Sequence, residues 1–348
     1  MRSMRERVQA SRMGIWRYSH KLPHVEAPYR LSMGEGGTPL LRLRDSNLWV
    51  KADYMNPTSS FKDRGVAYLI SKVLEEGAEG VVIDSSGNAA VSTAAYCARA
   101  GLRHIAVMPR YSHMEKKVHV LWHGSTVLEV PDRDSARIYA RRLSKELGLR
   151  YIGFALEPNA VPGFKTAAYE IEEEFTPEAI FIPTGSGTNL VAIATAYLEM
   201  YRDGEVERVP EIHCVQSAAC APISGEFTEY EPINSTLAEG VIVPHTERKD
   251  EAVRLIRETG GTGWVVDDEE IYRALSLLAS NGIYTSPTGA VGVAGALKAG
   301  YKGRCVCIAT DSGLKSNLML EGFKTRLYRV EGEEELERFI EEKASKNR

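Results

Sequence analysis

Short β-branched strand patterns and apolar helix patterns alternate along most of the chain, and this alternation restricts the fold more than any other feature. The runs at 80–84, 179–183 and 304–310 read as buried strands, and a helical pattern follows each of the first two. Such alternation predicts the α/β class, with two open, mainly parallel twisted sheets flanked by helices. Because crossover connections are right-handed, the loops that follow the strands gather at one edge of each sheet.

The alternation breaks near residues 150–160, and this break predicts two domains. We expect a smaller α/β domain over 53–150 and a larger one that combines 1–52 with 151–348. The length of 348 residues suits two domains of about 150 residues each. Ligands of such sheets bind beyond the carboxyl ends of the strands, so the site is expected in the cleft between the domains.

Composition and charge exclude several classes of function. The formal net charge is −4 at pH 7, which gives no field suited to nucleic acid or to an anionic membrane. No apolar run reaches the roughly 18 residues of a membrane span, and the N-terminal residues show no signal peptide. The five cysteines include no C-x-x-C pair, so no metal site or disulfide framework is expected. We expect a cytoplasmic protein that binds a small molecule.

A lysine, Lys62, stands in the first turn of a predicted apolar helix that ends at Gly77. Ser60 and Asp63 match the spacing of a capping box at the start of this helix. The partial positive charge of a helix N-terminus disfavours a second charge, so the pKa of Lys62 is expected to be lowered. A neutral amine is what imine chemistry requires. The local pattern alone, however, favours an ordinary surface lysine.

Two loops that follow predicted strands could each hold an anion. The loop "DSSGNAA" (84–90) offers serine hydroxyls and backbone N–H groups at a helix start, which suits a carboxylate. The loop "PTGSGTNL" (183–190) has two glycines that let the backbone curl around an anion. Each loop alone is more often a plain strand-to-helix turn. Together with one candidate amine, they suit an amino-acid substrate and an aldehyde cofactor that carries a phosphate.

Four motifs carry a family resemblance: "NPTSSFKDRG", "SSGNAA", "PTGSGTN" and "ATDSGLK". In this order and spacing they resemble the threonine synthase and threonine dehydratase family, pyridoxal-phosphate enzymes of fold type II, the tryptophan-synthase-β type. The opening "GIWRYSHKLP" followed by "GEGGTPL" resembles threonine synthases in particular. The resemblance covers nearly the whole chain. It implies pyridoxal 5'-phosphate as the cofactor, a small amino acid as the substrate and a homodimer as the assembly.

The resemblance also implies a role for each motif residue. Lys62 would form the Schiff base with the cofactor, and Phe61 would flank the cofactor unless it is simply a core residue. Asn88 would bond the ring hydroxyl, and Thr310 would offer its hydroxyl to the ring nitrogen. The cofactor phosphate would be held by Gly185, Ser186, Gly187, Thr188 and Asn189. The substrate carboxylate would be bound by Ser85, Ser86, Gly87 and Ala89.

The sequence departs from the family near the cofactor ring. Relatives usually read T-G-H-G-L-K where this chain reads "TDSGLK", so Asp311 replaces a glycine. If Asp311 rather than Thr310 met the ring nitrogen, the electronics of the ring would differ, and Thr310 is the preferred partner. At 286–290 the chain reads "SPTGA" where many relatives have an acid. We therefore expect a pocket less acidic than usual.

A further departure concerns the substrate. Threonine synthases usually have an arginine for the substrate phosphate where this chain has Ala160 in "EPNAVPGFKT". Without a guanidinium the phosphate loses strong paired hydrogen bonds. Pro162 and Phe164 are also unusual here. Lys116 matches a lysine that threonine synthases place near the substrate phosphate, although a solvated helix face beside Lys117 explains it about equally well.

The leading prediction is a threonine synthase, a carbon-oxygen lyase that converts O-phosphohomoserine and water to threonine and phosphate through Lys62. The alternative is β-elimination or β-replacement on serine, threonine or O-phosphoserine, as in a dehydratase or a cysteine synthase. A non-catalytic binding relative is a third hypothesis. The presence of Lys62, Asn88 and the glycine loop disfavours it.

Overall fold

Two separate β-sheets organise residues 14–315, the part of the chain that the computed structural model describes. The ten strands of this part are β1 (Leu40–Arg42), β2 (Leu48–Lys51), β3 (Gly80–Asp84), β4 (Arg103–Pro109), β5 (Thr126–Val130), β6 (Arg150–Ile152), β7 (Ala179–Pro183), β8 (Glu211–Ser217), β9 (Gly263–Val266) and β10 (Cys305–Ile308). Its nine α-helices are α1 (Lys62–Glu75), α2 (Asn88–Ala100), α3 (Met114–Trp122), α4 (Arg133–Leu147), α5 (Val161–Glu172), α6 (Thr188–Arg202), α7 (Lys249–Glu258), α8 (Asp268–Ser280) and α9 (Pro287–Ala299).

The strand order confirms the predicted α/β class. The smaller sheet has the order β5-β4-β3-β6, and all of its pairs are parallel. The larger sheet has the order β1-β2-β10-β7-β8-β9, in which only the edge pair β1–β2 is antiparallel. Non-consecutive neighbours such as β10 and β7 require helical crossovers, as parallel pairing demands.

Helix α9 covers the larger sheet closely because its contact face carries small residues. The central strand β7 is buried along its whole length, as expected for a strand with helices on both faces. In α9, a Cβ added at Gly295 would lie 2.6 Å from the side chain of Val215, and one at Gly292 would lie 2.8 Å from the carbonyl oxygen of Phe181. The glycines therefore let α9 approach the sheet at backbone distance.

A buried ionic network fixes the start of α1. The guanidinium of Arg64 contacts the carboxylates of Asp53 at 2.8 Å and Glu170 at 2.7 Å, and Lys51 lies 2.7 Å from Glu170. Burial would raise the pKa of Glu170, but the two cations outweigh burial and hold that pKa at about 2. The N–H of Gly37, in the "GEGGTPL" stretch, donates to Glu170 at 2.7 Å. The network thus anchors α1 to α5 and to the segment before β1.

The predicted division into two domains stays a prediction. The strands of the smaller sheet lie between Gly80 and Ile152, near the predicted range 53–150. Residues 1–13 and 316–348, which belong to the larger predicted domain, lie outside the described residues. Between residues 14 and 315, no helix is long and apolar enough to cross a membrane.

Candidate active site

The lysine of the first motif lies where the end of β10 meets the start of α1. Lys62 is the first residue of α1. The N–H of Phe61 donates to the carbonyl oxygen of Thr310 at 2.8 Å, and Ser60 forms an antiparallel bridge with Asp311. Backbone hydrogen bonds therefore join the "FK" motif directly to the "TDSGLK" motif.

The predicted capping box at the start of α1 is wrong. Instead of capping with Ser60, the carboxylate of Asp63 accepts hydrogen bonds from the N–H and the hydroxyl of Thr58, both at 2.6 Å. The cause is the backbone at Ser59, whose φ of +60° turns the chain so that Ser60 pairs with Asp311. The Ser60 hydroxyl is buried and has no hydrogen-bond partner in the described part of the chain.

Three phenyl rings surround the Lys62 amine. Its nitrogen lies 4.4 Å from the ring centre of Phe61, 4.6 Å from that of Phe154 and 5.9 Å from that of Phe164. Burial lowers the pKa of Lys62 to about 8, while the charge of Asp311 acts in the opposite direction. The sequence argument predicted the direction of this shift but attributed it to the helix terminus. The main cause is desolvation, which disfavours the charged amine.

The first anion loop lies at the carboxyl end of β3 and opens α2. Gly87 is the N-cap of α2 and provides no side-chain cap, so the N–H groups of the first turn are not capped by a side chain. The hydroxyl of Ser86 accepts a hydrogen bond from Arg133 at 3.4 Å, and the hydroxyl of Ser85 accepts one from the N–H of Gly87. Ala89 is buried in the apolar core. The loop retains the donors that a carboxylate needs.

The second anion loop lies at the carboxyl end of β7 and opens α6. Gly187 is the N-cap, with a φ of +87° that favours glycine. A Cβ at Gly185 would lie 2.9 Å from the carbonyl oxygen of Gly240. The hydroxyl of Thr188 lies 3.1 Å from that of Ser186 and donates to the carbonyl oxygen of Ala155 at 3.2 Å. Since Ala155 follows Phe154, the loop is joined to the ring cluster around Lys62.

A buried carboxylate connects the residues predicted around the cofactor ring. Asp311 accepts hydrogen bonds from Asn88 at 2.9 Å, from Ser286 at 2.5 Å and from Thr310 at 3.2 Å. Ser286 stands where many relatives have an acid, and it donates its hydrogen bond to an acid from the neighbouring loop, Asp311. Asp311 offsets the loss of acidity that the sequence alone suggested.

The side chain of Lys116 does not lie on a solvated helix face. It is only 6% exposed, and its nitrogen lies 3.8 Å from the position that a Cβ on Gly87 would take. Its ion-pair partner is Glu239, which follows β8 of the other sheet. The neighbouring Lys117 is also buried and contacts Glu129. Lys116 therefore lies beside the first anion loop, and its role at a substrate phosphate stays a prediction.

The position of the missing arginine belongs to the packed core. Ala160 has no exposed surface, and Phe164, one turn later, is also fully buried. A Cβ on Gly65 would lie 2.5 Å from the Phe164 ring and 2.8 Å from the Ala160 carbonyl oxygen. This chain therefore fills the corresponding region with apolar groups packed against α1.

A second lysine near the site also has a lowered pKa. Lys315, the last residue of "TDSGLK", is buried, and burial lowers its pKa to about 8. Its nitrogen donates to the carbonyl oxygen of Thr58 at 2.6 Å. Lys315 thus contacts the segment that leads directly into Lys62. A lowered pKa alone does not distinguish the two amines.

The polar atoms left over in this region fit pyridoxal phosphate. Among the described residues, Ser60 Oγ, Asn88 Oδ1 and Asn189 Nδ2 are buried without a hydrogen-bond partner. Buried polar atoms are rarely left unpaired, so these three are candidates to bind a ligand. The structure brings together Lys62, Asn88, Thr310 and the two anion loops, while Phe154, Glu239 and Ser286 enter the region without having been predicted as site residues.

Comparison with known proteins shows the family. Residues 31–311 match the model of the "Pyridoxal-phosphate dependent enzyme" family. The threonine synthase of Methanocaldococcus jannaschii is 32% identical over 335 residues, which cover 89% of this chain and 82% of that protein. The threonine synthase of Synechocystis is 33% identical over 317 residues, which cover 86% and 82%. The solved structure of a threonine deaminase from T.th. has a TM-score of 0.67 and 26% identity, and the match covers 90% of this chain and 98% of that one.

Proposed function

This chain belongs to the pyridoxal-phosphate dependent enzyme family, and we propose that within it the chain is a threonine synthase. It would convert O-phosphohomoserine and water to threonine and phosphate. The cofactor is pyridoxal phosphate, and the chain is a lyase of the threonine synthase and dehydratase group, so the non-catalytic hypothesis is not retained. The finer assignment rests on one observation: a buried lysine, Lys116, lies beside the carboxylate loop.

Bound pyridoxal phosphate supplies an electron sink for the carbon that carries the substrate amine. Lys62 is the group proposed to hold the cofactor and to move protons at the substrate carbons. Its pKa of about 8 leaves roughly a tenth of the amine neutral at pH 7, far more than for an ordinary lysine, and a neutral amine can accept a proton. The rings of Phe61, Phe154 and Phe164 exclude water from this amine, which protects reactive species.

The two anion loops are proposed to bind different groups, one on the cofactor and one on the substrate. The loop from Gly185 to Asn189 is proposed to hold the cofactor phosphate, with Asn88 at the ring hydroxyl and Thr310 at the ring nitrogen. The loop Ser85, Ser86, Gly87 and Ala89 is proposed to bind the substrate carboxylate through backbone donors at the start of α2. Lys116 would then meet the distal phosphate of the substrate.

Three observations favour the alternative of β-elimination or β-replacement on serine, threonine or O-phosphoserine. Ala160 offers no guanidinium and is buried, and Lys116 is already paired with Glu239. A threonine deaminase is among the similar solved structures. Both reactions use the same cofactor and the same lysine, so fold and cofactor do not separate them.

A substrate panel separates the two reactions. Purified holoenzyme is given O-phosphohomoserine, O-phosphoserine, serine or threonine, and released phosphate, threonine and 2-oxoacid are measured in each case. A threonine synthase releases equal amounts of phosphate and threonine from the first substrate. Fast 2-oxoacid release from serine or threonine, with no turnover of O-phosphohomoserine, would assign the chain to the dehydratases instead.

We also propose, from the family alone, a homodimer in the cytoplasm with two domains that close over the cofactor. Such closure would shield the reaction from water. Light scattering on the holoenzyme measures the mass directly. A monomer mass at micromolar concentration would contradict the dimer and leave the proposed chemistry untouched.

A further inference from the structure

Lys116 has a protein carboxylate as its counter-ion, and this carboxylate comes from the connection between β8 and β9 of the other sheet. One oxygen of Glu239 pairs with the Lys116 amine, and the other lies 2.7 Å from Nε2 of His113. Lys116 is buried, whereas the Glu239 side chain is 37% exposed. A buried ammonium is costly unless it is paired. Glu239 therefore satisfies the charge of Lys116 from the solvent side.

The backbone around Glu239 is fixed against the second anion loop. The N–H of Gly240 donates to the hydroxyl of Thr288 at 3.1 Å, and the carbonyl oxygen of Gly240 lies 2.9 Å from the Cβ position of Gly185. The Thr246 hydroxyl donates to the carbonyl oxygen of Ser186 at 2.6 Å. The segment 239–246 thus runs along the glycine loop, and the Glu239 carboxylate extends from it to α3.

These contacts place the ion pair between the two loops. The Lys116 amine lies 3.8 Å from the Cβ position of Gly87, so a substrate bound at the first loop would extend toward it. An anionic group on that substrate would find Lys116 already engaged by Glu239. The Glu239 carboxylate and the substrate anion would therefore compete for the charge and the N–H donors of one ammonium.

We propose that Glu239 is an internal competitor for the anion-binding position on Lys116, and that it determines how tightly the site accepts a substrate with an anionic side chain. The inference rests on the proposed function, in which that anion is the phosphate of O-phosphohomoserine. The phosphate displaces Glu239, which keeps its contact with His113. When phosphate leaves, Glu239 returns to Lys116 and favours release of the product. A neutral side chain leaves the ion pair intact.

The test measures the binding of inorganic phosphate to the holoenzyme by isothermal titration calorimetry. With the cofactor bound, its own phosphate fills the glycine loop, so added phosphate reports the second anion position. Glu239→Gln removes the competing charge and should tighten phosphate binding roughly threefold to tenfold, the range expected for a partly exposed ion pair and a charge-assisted hydrogen bond. Glu247→Gln is the matched control, because Glu247 directly follows the segment 239–246 and pairs with the half-exposed Arg137, so that its substitution should leave the affinity unchanged.

A double-mutant cycle assigns the effect to Lys116. Lys116→Met keeps the buried stem and removes the charge, and in that background Glu239→Gln should no longer change phosphate affinity. Equal or weaker phosphate binding by the Glu239→Gln variant alone would overturn the proposal. Because phosphate binding requires no turnover, this result is independent of the substrate panel. If the enzyme turns over O-phosphohomoserine but Glu239→Gln leaves the phosphate affinity unchanged, the competition by Glu239 is rejected and the proposed function stands.

Discussion

The side-chain amide of Asn88 donates a hydrogen bond of 2.9 Å to Oδ2 of Asp311. This contact joins the loop after β3 to the loop after β10, and so links the two sheets. It also fixes the Asn88 amide, because the reversed amide would set an oxygen against a carboxylate. The Oδ1 atom of Asn88 is thereby left buried without a protein partner in the described residues. Asp311 therefore orients a predicted cofactor ligand and places a negative charge near Lys62.

The charge of Asp311 should have a measurable effect on the pKa of Lys62. Asp311 acts against the burial that lowers the pKa of Lys62 to about 8, so the isosteric change Asp311→Asn should lower that pKa further. Competitive labelling of the cofactor-free protein with acetic anhydride, analysed peptide by peptide, gives the pKa of each lysine. Asp134→Asn at the exposed start of α4 is the matched control. An unchanged or higher Lys62 pKa in the Asp311 variant would contradict this prediction.

Removal of a ring from the lysine environment should have the opposite effect. Phe154 lies 4.6 Å from the Lys62 nitrogen and is 6% exposed. In Phe154→Ala, loss of the ring's attraction for a cation would lower the pKa, but admission of water raises it. Burial dominates in the native protein, so the net expectation is a rise toward the ordinary value. The substitution should also cost about 3–5 kcal/mol of stability.

The control for this prediction is Phe175→Ala. Phe175 packs on Trp49 with ring centres 5.0 Å apart and is not one of the three rings around the lysine. The Phe175→Ala substitution should destabilise the protein and leave the pKa of Lys62 unchanged. The same labelling experiment, together with urea denaturation, measures both quantities. If the Lys62 pKa stayed near 8 in the Phe154 variant, the rings would not be what excludes water.

The backbone at Ser59 offers a test of local strain. Its φ of +60° lies in the left-handed region, which costs a residue with a side chain about 1–2 kcal/mol. Glycine has no such cost but loses about 0.5–1 kcal/mol through its freer unfolded state. Ser59→Gly should therefore raise the free energy of unfolding by about 0.5–1 kcal/mol. Ser59→Ala, which keeps the strain, should give no gain in the same denaturation measurement, and a stabilised alanine variant would argue against strain.

Substitution of Ala160 by arginine should not strengthen the binding of a phosphorylated substrate. Family comparison suggests that Ala160→Arg would strengthen the binding of a phosphorylated substrate. The structure predicts instead a loss of stability of about 3 kcal/mol or more, because Ala160 is fully buried and a guanidinium there would lack a partner. Thermal unfolding and phosphate titration of the variant measure both outcomes. A stable variant with tighter phosphate binding would show that this region opens to the site.

The sequence was sufficient to predict features that depend on local pattern. The alternation of elements predicted the parallel sheets, and Gly77 follows the end of α1 in the left-handed conformation expected of a helix-terminal glycine. The loops at 84–90 and 183–190 lie at strand ends because their glycines and serines directly follow β-branched runs. The direction of the Lys62 pKa shift was also predicted, although the cause was not.

What the sequence could not show depends on contacts between distant residues. Glu239 meets Lys116 across 123 positions of the chain, and no local pattern marks it as a partner. Phe154 belongs to a short segment after β6 that reads as ordinary core until its distance to Lys62 is measured. The capping box failed for a similar reason, because the pairing of Ser60 with Asp311 overrides a local preference.

The identity of the reactive lysine is the central claim, and reduction of the holoenzyme tests it most directly. Borohydride fixes the cofactor to the amine that holds it, and mass spectrometry of the peptides then locates the tag. Lys62 and Lys315 both lie close to the segment 58–61, and each has a pKa of about 8, so the experiment discriminates between two real candidates. We predict the tag on Lys62 and its loss in Lys62→Ala. A tag on Lys315 or on any other lysine of the native protein would contradict this assignment.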